Sequence, residues 1–140
     1  MVDIVDENTR SRMMSNIRAK DTKPEMIVRR YLHAHGFRFR LHDRRLPGTP
    51  DLVLRKYRTV IFVHGCFWHH HAGCPKAYVP ASNTDQWMRK FELNRARDAR
   101  CSEMLAIAGW SIIVVWECEL GANRSATTLL KLRETLLGSL

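Results

Sequence analysis

The sequence of 140 residues predicts an α/β fold in which helices flank a central mixed β-sheet. Three observations predict it. Helical and strand patterns follow one another in the order ααβββαβα, as expected of helices layered on a sheet. The run from Trp110 to Trp116 is apolar throughout, the signature of a strand covered on both faces and hence of a central one. A hydrophobic fraction of 45% is enough for one core in a chain of this length, so the expectation is a single domain over residues 1–140.

The elements can be justified in order. Residues 8–19 (NTRSRMMSNIRA) read as a basic helix within an N-terminal arm, residues 1–20, with Met13, Met14 and Ile17 on one side. Thr22-Lys23-Pro24-Glu25 has the Thr-x-x-Glu form of a capping box with Pro in the first turn, and Gly36 stops the helix about 12 residues on. Residues 37–40 alternate, and 51–54 and 59–63 are apolar or β-branched. Residues 55–58 are few enough to make the last two strands a hairpin, and Leu46-Pro47-Gly48-Thr49-Pro50 must turn. Residues 64–83 lack periodicity and carry Gly, Pro, His and Cys, so they form a long loop that something must hold. Residues 85–108 read as the longest helix, ended by Gly109. Trp110 to Trp116 is the central strand, and 125–137 a final amphipathic helix.

Composition narrows the function. Lys plus Arg number 23 against 14 acidic residues, a net charge of +9, and most of the excess precedes residue 84. That distribution suits a face meeting an anionic polymer, with the last third as scaffold, although a merely solvated basic surface has the same charge. No secretory signal is read, and the longest apolar run, Ile112 to Trp116, is far short of the ~20 residues of a membrane helix. A cytosolic protein without membrane contact is expected, with its four cysteines as metal ligands or buried thiols rather than disulfides.

Two constellations carry chemistry. Cys66, His71 and Cys74 on the loop, with Cys118 at the end of the expected central strand, offer three thiolates and an imidazole, the donors of a tetrahedral structural zinc. Spacing alone leaves open which of His69, His70 and His71 binds. Such a tie would remove the entropy of twenty aperiodic residues. Cys101, mid-helix, reads as a buried thiol. Asp51 starts a strand after Pro50, where a carboxylate suits a hard cation such as Mg²⁺, and His64 and His69 suit proton transfer near neutrality. Glu25 adds a second carboxylate if its helix packs beside Asp51; otherwise it only closes its capping box.

Around these constellations, Phe67, Trp68 and Trp87 are large aromatics in or beside a polar loop. They suit a wedge stacked against an opened base step, or core packing beneath the loop. Arg10, Arg12 and Arg18 suit phosphate contacts from the N-terminal arm, with Met14 and Ile17 against a minor groove. Positions 91, 94, 98, 101, 105 and 108 share one helical face. Asn94 and Asp98 there read either as inward polar groups that buttress the His/Cys loop, for instance through an imidazole N–H, or as surface partners of a neighbouring Arg.

Several segments together resemble the very-short-patch repair (Vsr) DNA mismatch endonucleases. They are Pro50-Asp51-Leu52-Val53, the run Val60-Ile61-Phe62-Val63-His64-Gly65-Cys66-Phe67-Trp68-His69-His70-His71, Asn94-x3-Asp98, Gly109-Trp110, and Val115-Trp116-Glu117-Cys118. The resemblance spans about residues 8–120. It implies a type II restriction-endonuclease-like fold and Mg²⁺-dependent nicking of one strand 5′ of the thymine in a T·G mismatch, the lesion left by 5-methylcytosine deamination. It also implies a structural zinc on Cys66, His71, Cys74 and Cys118. By position in the motifs, Asp51 holds the metal with the Val63 carbonyl, His69 is the general base, and Glu25 and His64 support acid/base chemistry or metal-water contacts. The expected partner is duplex DNA bearing a T·G mismatch, bound by a monomer that works with mismatch-repair proteins. Where this fold usually has an acidic-x-Lys strand, the chain has Phe62-Val63-His64, so histidine replaces lysine chemistry. A zinc-stabilised DNA-binding module without catalysis, or a less selective nuclease of the same fold, are the alternatives.

Overall fold

A computed structural model of the chain describes residues 21–138. Its elements are α1 (Lys23–Ala34), β1 (Arg40–Leu41), β2 (Leu52–Leu54), a 3-10 turn (Arg55–Tyr57), β3 (Thr59–His64), α2 (Thr84–Ile107), β4 (Ser111–Trp116), a second 3-10 turn (Glu117–Leu120) and α3 (Ser125–Leu137). The basic helix expected over residues 8–19, with Met14, Ile17, Arg10, Arg12 and Arg18, lies outside the described residues.

The described strands form one mixed sheet in the order β1-β2-β3-β4. β1, β2 and β3 are antiparallel neighbours and β4 runs parallel to β3, so the fold class expected from the sequence holds. The 3-10 turn ends on Arg58 in the left-handed conformation and closes the β2–β3 hairpin. The parallel β3–β4 pair needs a long crossover, which residues 65–83 and α2 provide.

Strand alternation divides the core between the two faces. Leu52, Leu54, Ile61 and Val115 pack with Val28 and Leu32 of α1 and Leu129, Leu132 and Leu136 of α3. Val53, Val60 and Phe62 pack with Leu105 of α2 on the other side. Each fully buried side chain of this kind contributes about 1.5–3 kcal/mol. Gly48, at φ +77°, lies in the turn that leads to Asp51. A Cβ there would come within 3.1 Å of the Cys101 Cβ and 3.3 Å of the Phe62 ring, so only glycine fits both the turn and the helix beneath it.

Four sequence expectations need correction. The strand ending at Trp116 is not central: among the described residues it is an edge strand, as β1 is at the other side, and β2 and β3 are the inner pair. Apolar character says nothing of a strand's edges, and β4 is covered only in part, with Val115 buried and Val114 exposed. Cys118 therefore lies on the 3-10 turn after β4 rather than on a central strand. The first strand is Arg40–Leu41 instead of 37–40, because Phe37 turns into the α1 core before pairing begins. Cys101 is only partly buried, and Ala108, beyond the last helical residue, is exposed.

Candidate active site and metal centre

Glu25 and Asp51 are brought together by the packing of α1 beside the start of β2. Thr22 caps α1 by accepting the Glu25 N–H at 3.4 Å. The Glu25 carboxylate does not turn back to complete a capping box. It points inward, 2% exposed, with both oxygens 2.9 Å from His42 Nε2 and one 3.2 Å from Arg29 Nη1. Asp51 accepts the Val63 N–H at 2.7 Å, and His42 Nε2 lies 4.0 Å from its other oxygen. Burial raises the Asp51 pKa to about 7; the Val63 N–H opposes the rise, Glu25 adds to it, and His42 pulls it down. Two carboxylates held together at such a cost form a donor set that a divalent cation would relieve.

The residue after Val63 opens the second group. His64 and His69 stack face to face, ring centres 3.7 Å apart and 3° from parallel. His69 Nδ1 is 2.6 Å from Asp98 Oδ2 on α2, and the Trp116 ring meets the edge of His64 at 5.2 Å. That contact follows from the pairing of His64 with Trp116 across β3 and β4. Burial lowers the His64 pKa to about 4, with His69 adding to the fall and Asp98 opposing it. His64 is thus neutral at pH 7, and Asp98 orients the partly exposed His69 ring through Nδ1, with Nε2 on the far side of the ring from that carboxylate.

Cys66, His71, Cys74 and Cys118 converge so that one ligand atom from each lies within 4.8 Å of the others. His71 Nδ1 is 3.7 Å from Cys66 Sγ and 3.5 Å from Cys118 Sγ. Thiolate and imidazole ligands at about 2.3 and 2.0–2.1 Å from a tetrahedral zinc lie about 3.5 Å apart, so the donor set fits that ion in chemistry and spacing. A tight turn in which the His71 N–H bonds the Cys66 carbonyl selects His71 from the three histidines, and its ring stacks on Trp116 at 4.0 Å. Burial pushes the Cys66 thiol up to about 12, whereas the Lys76 backbone holds Cys74 below its ordinary value.

The loop aromatics meet one another. Phe67 packs edge-on to Trp68, Trp87 and Phe91 at 5.1–5.4 Å, and Lys90 Nζ lies over Trp68 and Trp87 at 5.2 and 5.5 Å. Trp68 is only 6% exposed and stands in the core of this cluster rather than on a free surface; Phe67 and Trp87 are half-buried. Asn94 does buttress the loop, but its side-chain N–H donates to the Trp68 carbonyl at 3.1 Å and not to an imidazole. His70 stacks on Phe91 at 4.2 Å.

The family model for DNA mismatch endonuclease Vsr matches residues 2–76. The chain is also 43% identical over 127 residues to the DNA mismatch endonuclease Vsr of Escherichia coli, covering 91% of this chain and 81% of that protein. The chain belongs to the Vsr family. Two other relatives are the type II nicking enzyme V.XorIIP of Xanthomonas oryzae pv. oryzae, 51% identical over 120 residues (86% of this chain, 88% of the relative), and V.NmeAIP of Neisseria meningitidis serogroup A, 49% identical over 120 residues (86% and 85%).

In this Vsr-family chain, the residues that touch the site beyond those assigned to it from sequence include Arg29 and Trp116, described above, and two more. His42 bridges Glu25 and Asp51. The Glu117 carboxylate accepts the Cys66 N–H at 3.2 Å and so braces the thiol cluster from its backbone. Glu117 lies beside Cys118 in the Val115-Trp116-Glu117-Cys118 segment, and that adjacency is its signal in the sequence. Among the described residues, no helix is long and apolar enough to cross a membrane.

Proposed function

We propose that this chain nicks one strand of duplex DNA on the 5′ side of the thymine in a T·G mismatch, using Mg²⁺, and so starts very-short-patch repair. The observation that carries the reading is the adjacency of two groups through Val63 and His64: the Asp51–Glu25 carboxylates on one side and the His64–His69–Asp98 stack on the other. Asp51 and the Val63 carbonyl hold Mg²⁺, which when bound supplies positive charge against the phosphate being hydrolysed. His69, oriented by Asp98, takes the proton from the attacking water through Nε2. His64, neutral and stacked on it, shields that ring from solvent and, with Glu25, orders the waters that supply and receive protons. Cys66, His71, Cys74 and Cys118 hold a structural zinc that fixes the loop carrying His69.

The lesion is read by Phe67, Trp68 and Trp87, which leave their mutual packing to stack beside the mismatched pair, where opening a step costs least. Met14 and Ile17 lie against the minor groove, and Arg10, Arg12 and Arg18 bind phosphate. The chain acts as a monomer in the cytoplasm, alongside mismatch-repair proteins. The test is cleavage of end-labelled duplexes carrying T·G, T·A or C·G at one position, with and without Mg²⁺. Nicking of the thymine strand of the T·G duplex alone is expected; equal cleavage of all three duplexes would indicate an unselective nuclease, and binding without cleavage a DNA-binding module.

A further inference from the structure

His42 sits where β1 and β2 diverge. Its N–H donates to the Asp51 carbonyl at 3.1 Å, and its backbone is left-handed, φ +46°, a conformation few non-glycine residues adopt. This backbone bond fixes the imidazole relative to Asp51. From that anchor the ring reaches back to α1 and places Nε2 2.9 Å from both oxygens of the buried Glu25. An N–H equidistant from two carboxylate oxygens donates to both and fixes the rotation of the carboxylate. Arg29, itself paired with Asp21, holds only one of those oxygens, from one turn further along α1.

We propose that His42 is a positioning residue for the nicking reaction: by tying the Glu25 carboxylate to the backbone of Asp51, it holds the two carboxylates in one orientation toward a shared divalent cation. The inference rests on the function proposed above. Without His42, Glu25 keeps its single link to Arg29 and is free to rotate away from Asp51, and the cation must then collect one mobile ligand beside the Asp51 carboxylate that the Val63 N–H still holds. Partners that orient metal ligands in this way are typically worth 10–100-fold in metal affinity or activity.

The test compares His42→Phe, which keeps a ring but has no N–H, with His42→Gln, whose side-chain amide restores a donor. Three quantities are measured: Mn²⁺ binding to the DNA-free protein by the paramagnetic resonance of the free ion, kcat and KM for T·G duplex nicking separately, and the melting temperature. His42→Phe should weaken Mn²⁺ binding about 10-fold and lower kcat about 10–100-fold with KM for DNA within twofold, and His42→Gln should recover most of both losses. In a Glu25→Gln background the effect of His42→Phe on Mn²⁺ binding should vanish. Wild-type Mn²⁺ binding in His42→Phe, or equal losses in the Phe and Gln variants, would overturn the proposal. If the Phe variant does not fold, His42→Leu takes its place as the donorless variant. A wild-type protein that cleaves no duplex would defeat the proposed function, while the Mn²⁺ series would still decide the role of His42.

Discussion

His69 Nδ1 lies 2.6 Å from the carboxylate of Asp98, 29 residues later in the chain on α2. The link fixes which imidazole nitrogen is free, because the nitrogen facing the carboxylate carries the proton. Asp98→Ala should therefore slow single-turnover nicking about 10–100-fold without weakening DNA binding, and His69→Ala should slow it by at least about 10²-fold. Asp98→Asn, which keeps an acceptor, should fall between wild type and Asp98→Ala. If His69→Ala cleaves at the wild-type rate, the base is elsewhere and His64 is the next candidate.

Asp51 makes stability and activity pull apart. Its pKa in the fold, about 7, lies above the ordinary value of 3.8, so its contribution to stability is full below about pH 3.8 and is lost as pH rises through about 7. Asp51→Asn removes that loss along with the metal ligand. In Mg²⁺-free buffer, the melting temperature of Asp51→Asn minus that of wild type should grow from pH 4 to pH 7, while nicking is abolished. His64 has the opposite sign: its pKa is depressed to about 4, so its contribution is present above its ordinary 6.5 and lost as pH falls through about 4. Since both proteins contain His64, its effect largely cancels from the difference. A flat difference across pH 4–7 would show that Asp51 is not the buried acid described.

The thiol cluster makes a prediction about composition. Elemental analysis should find one zinc per chain, and removing it with a strong chelator should lower the melting temperature sharply, because the loop of residues 65–83 has little regular structure of its own. Cys66→Ala and Cys118→Ala should yield little folded protein. Fully active protein without zinc would defeat this assignment.

The burial of Trp68 turns the wedge into a measurable opening. Tryptophan emission should change on binding a T·G duplex and much less on a paired one, and Trp68→Phe should remove most of the difference. Trp68→Ala should lose about 1–3 kcal/mol of binding mainly on T·G DNA. Arg18→Ala should instead weaken both duplexes alike and lower the salt slope by about one. A Trp68→Ala variant weakened equally on both duplexes would mark Trp68 as packing only.

Every expected helix and strand within residues 21–138 is present, because each was signalled locally: the Thr22 cap and Gly36 around α1, the β-branched run of β3, the Gly109 stop after α2. The pairing of elements was harder to read. β1 is two residues long, so nothing in its composition announced that Leu41 pairs with Leu52 and hence that His42 stands opposite Asp51. With residues 43–50 as the connection of an antiparallel pair, His42 is the residue that faces Asp51. Trp68 was ambiguous for a different reason. Aromatic residues in a loop pack against each other or against a ligand, and sequence does not distinguish the two. His71 was separable from its neighbours only through the turn that returns its N–H to Cys66.

β3 carries the Val63 N–H that holds Asp51 and the His64 ring that meets His69, and it ends one residue before Gly65-Cys66. Since adjacent side chains on a strand face opposite ways, sliding β3 by a single position would send Val60 and Phe62 to the wrong layer and take His64 away from α2. Packing and chemistry thus share one alignment, and a misthreaded chain would have neither. Substitutions that loosen this strand at Val60 or Ile61, away from the site, should reduce the fraction of active molecules in a preparation, as active-site titration would count them, and leave the turnover and mismatch preference of the remainder unchanged.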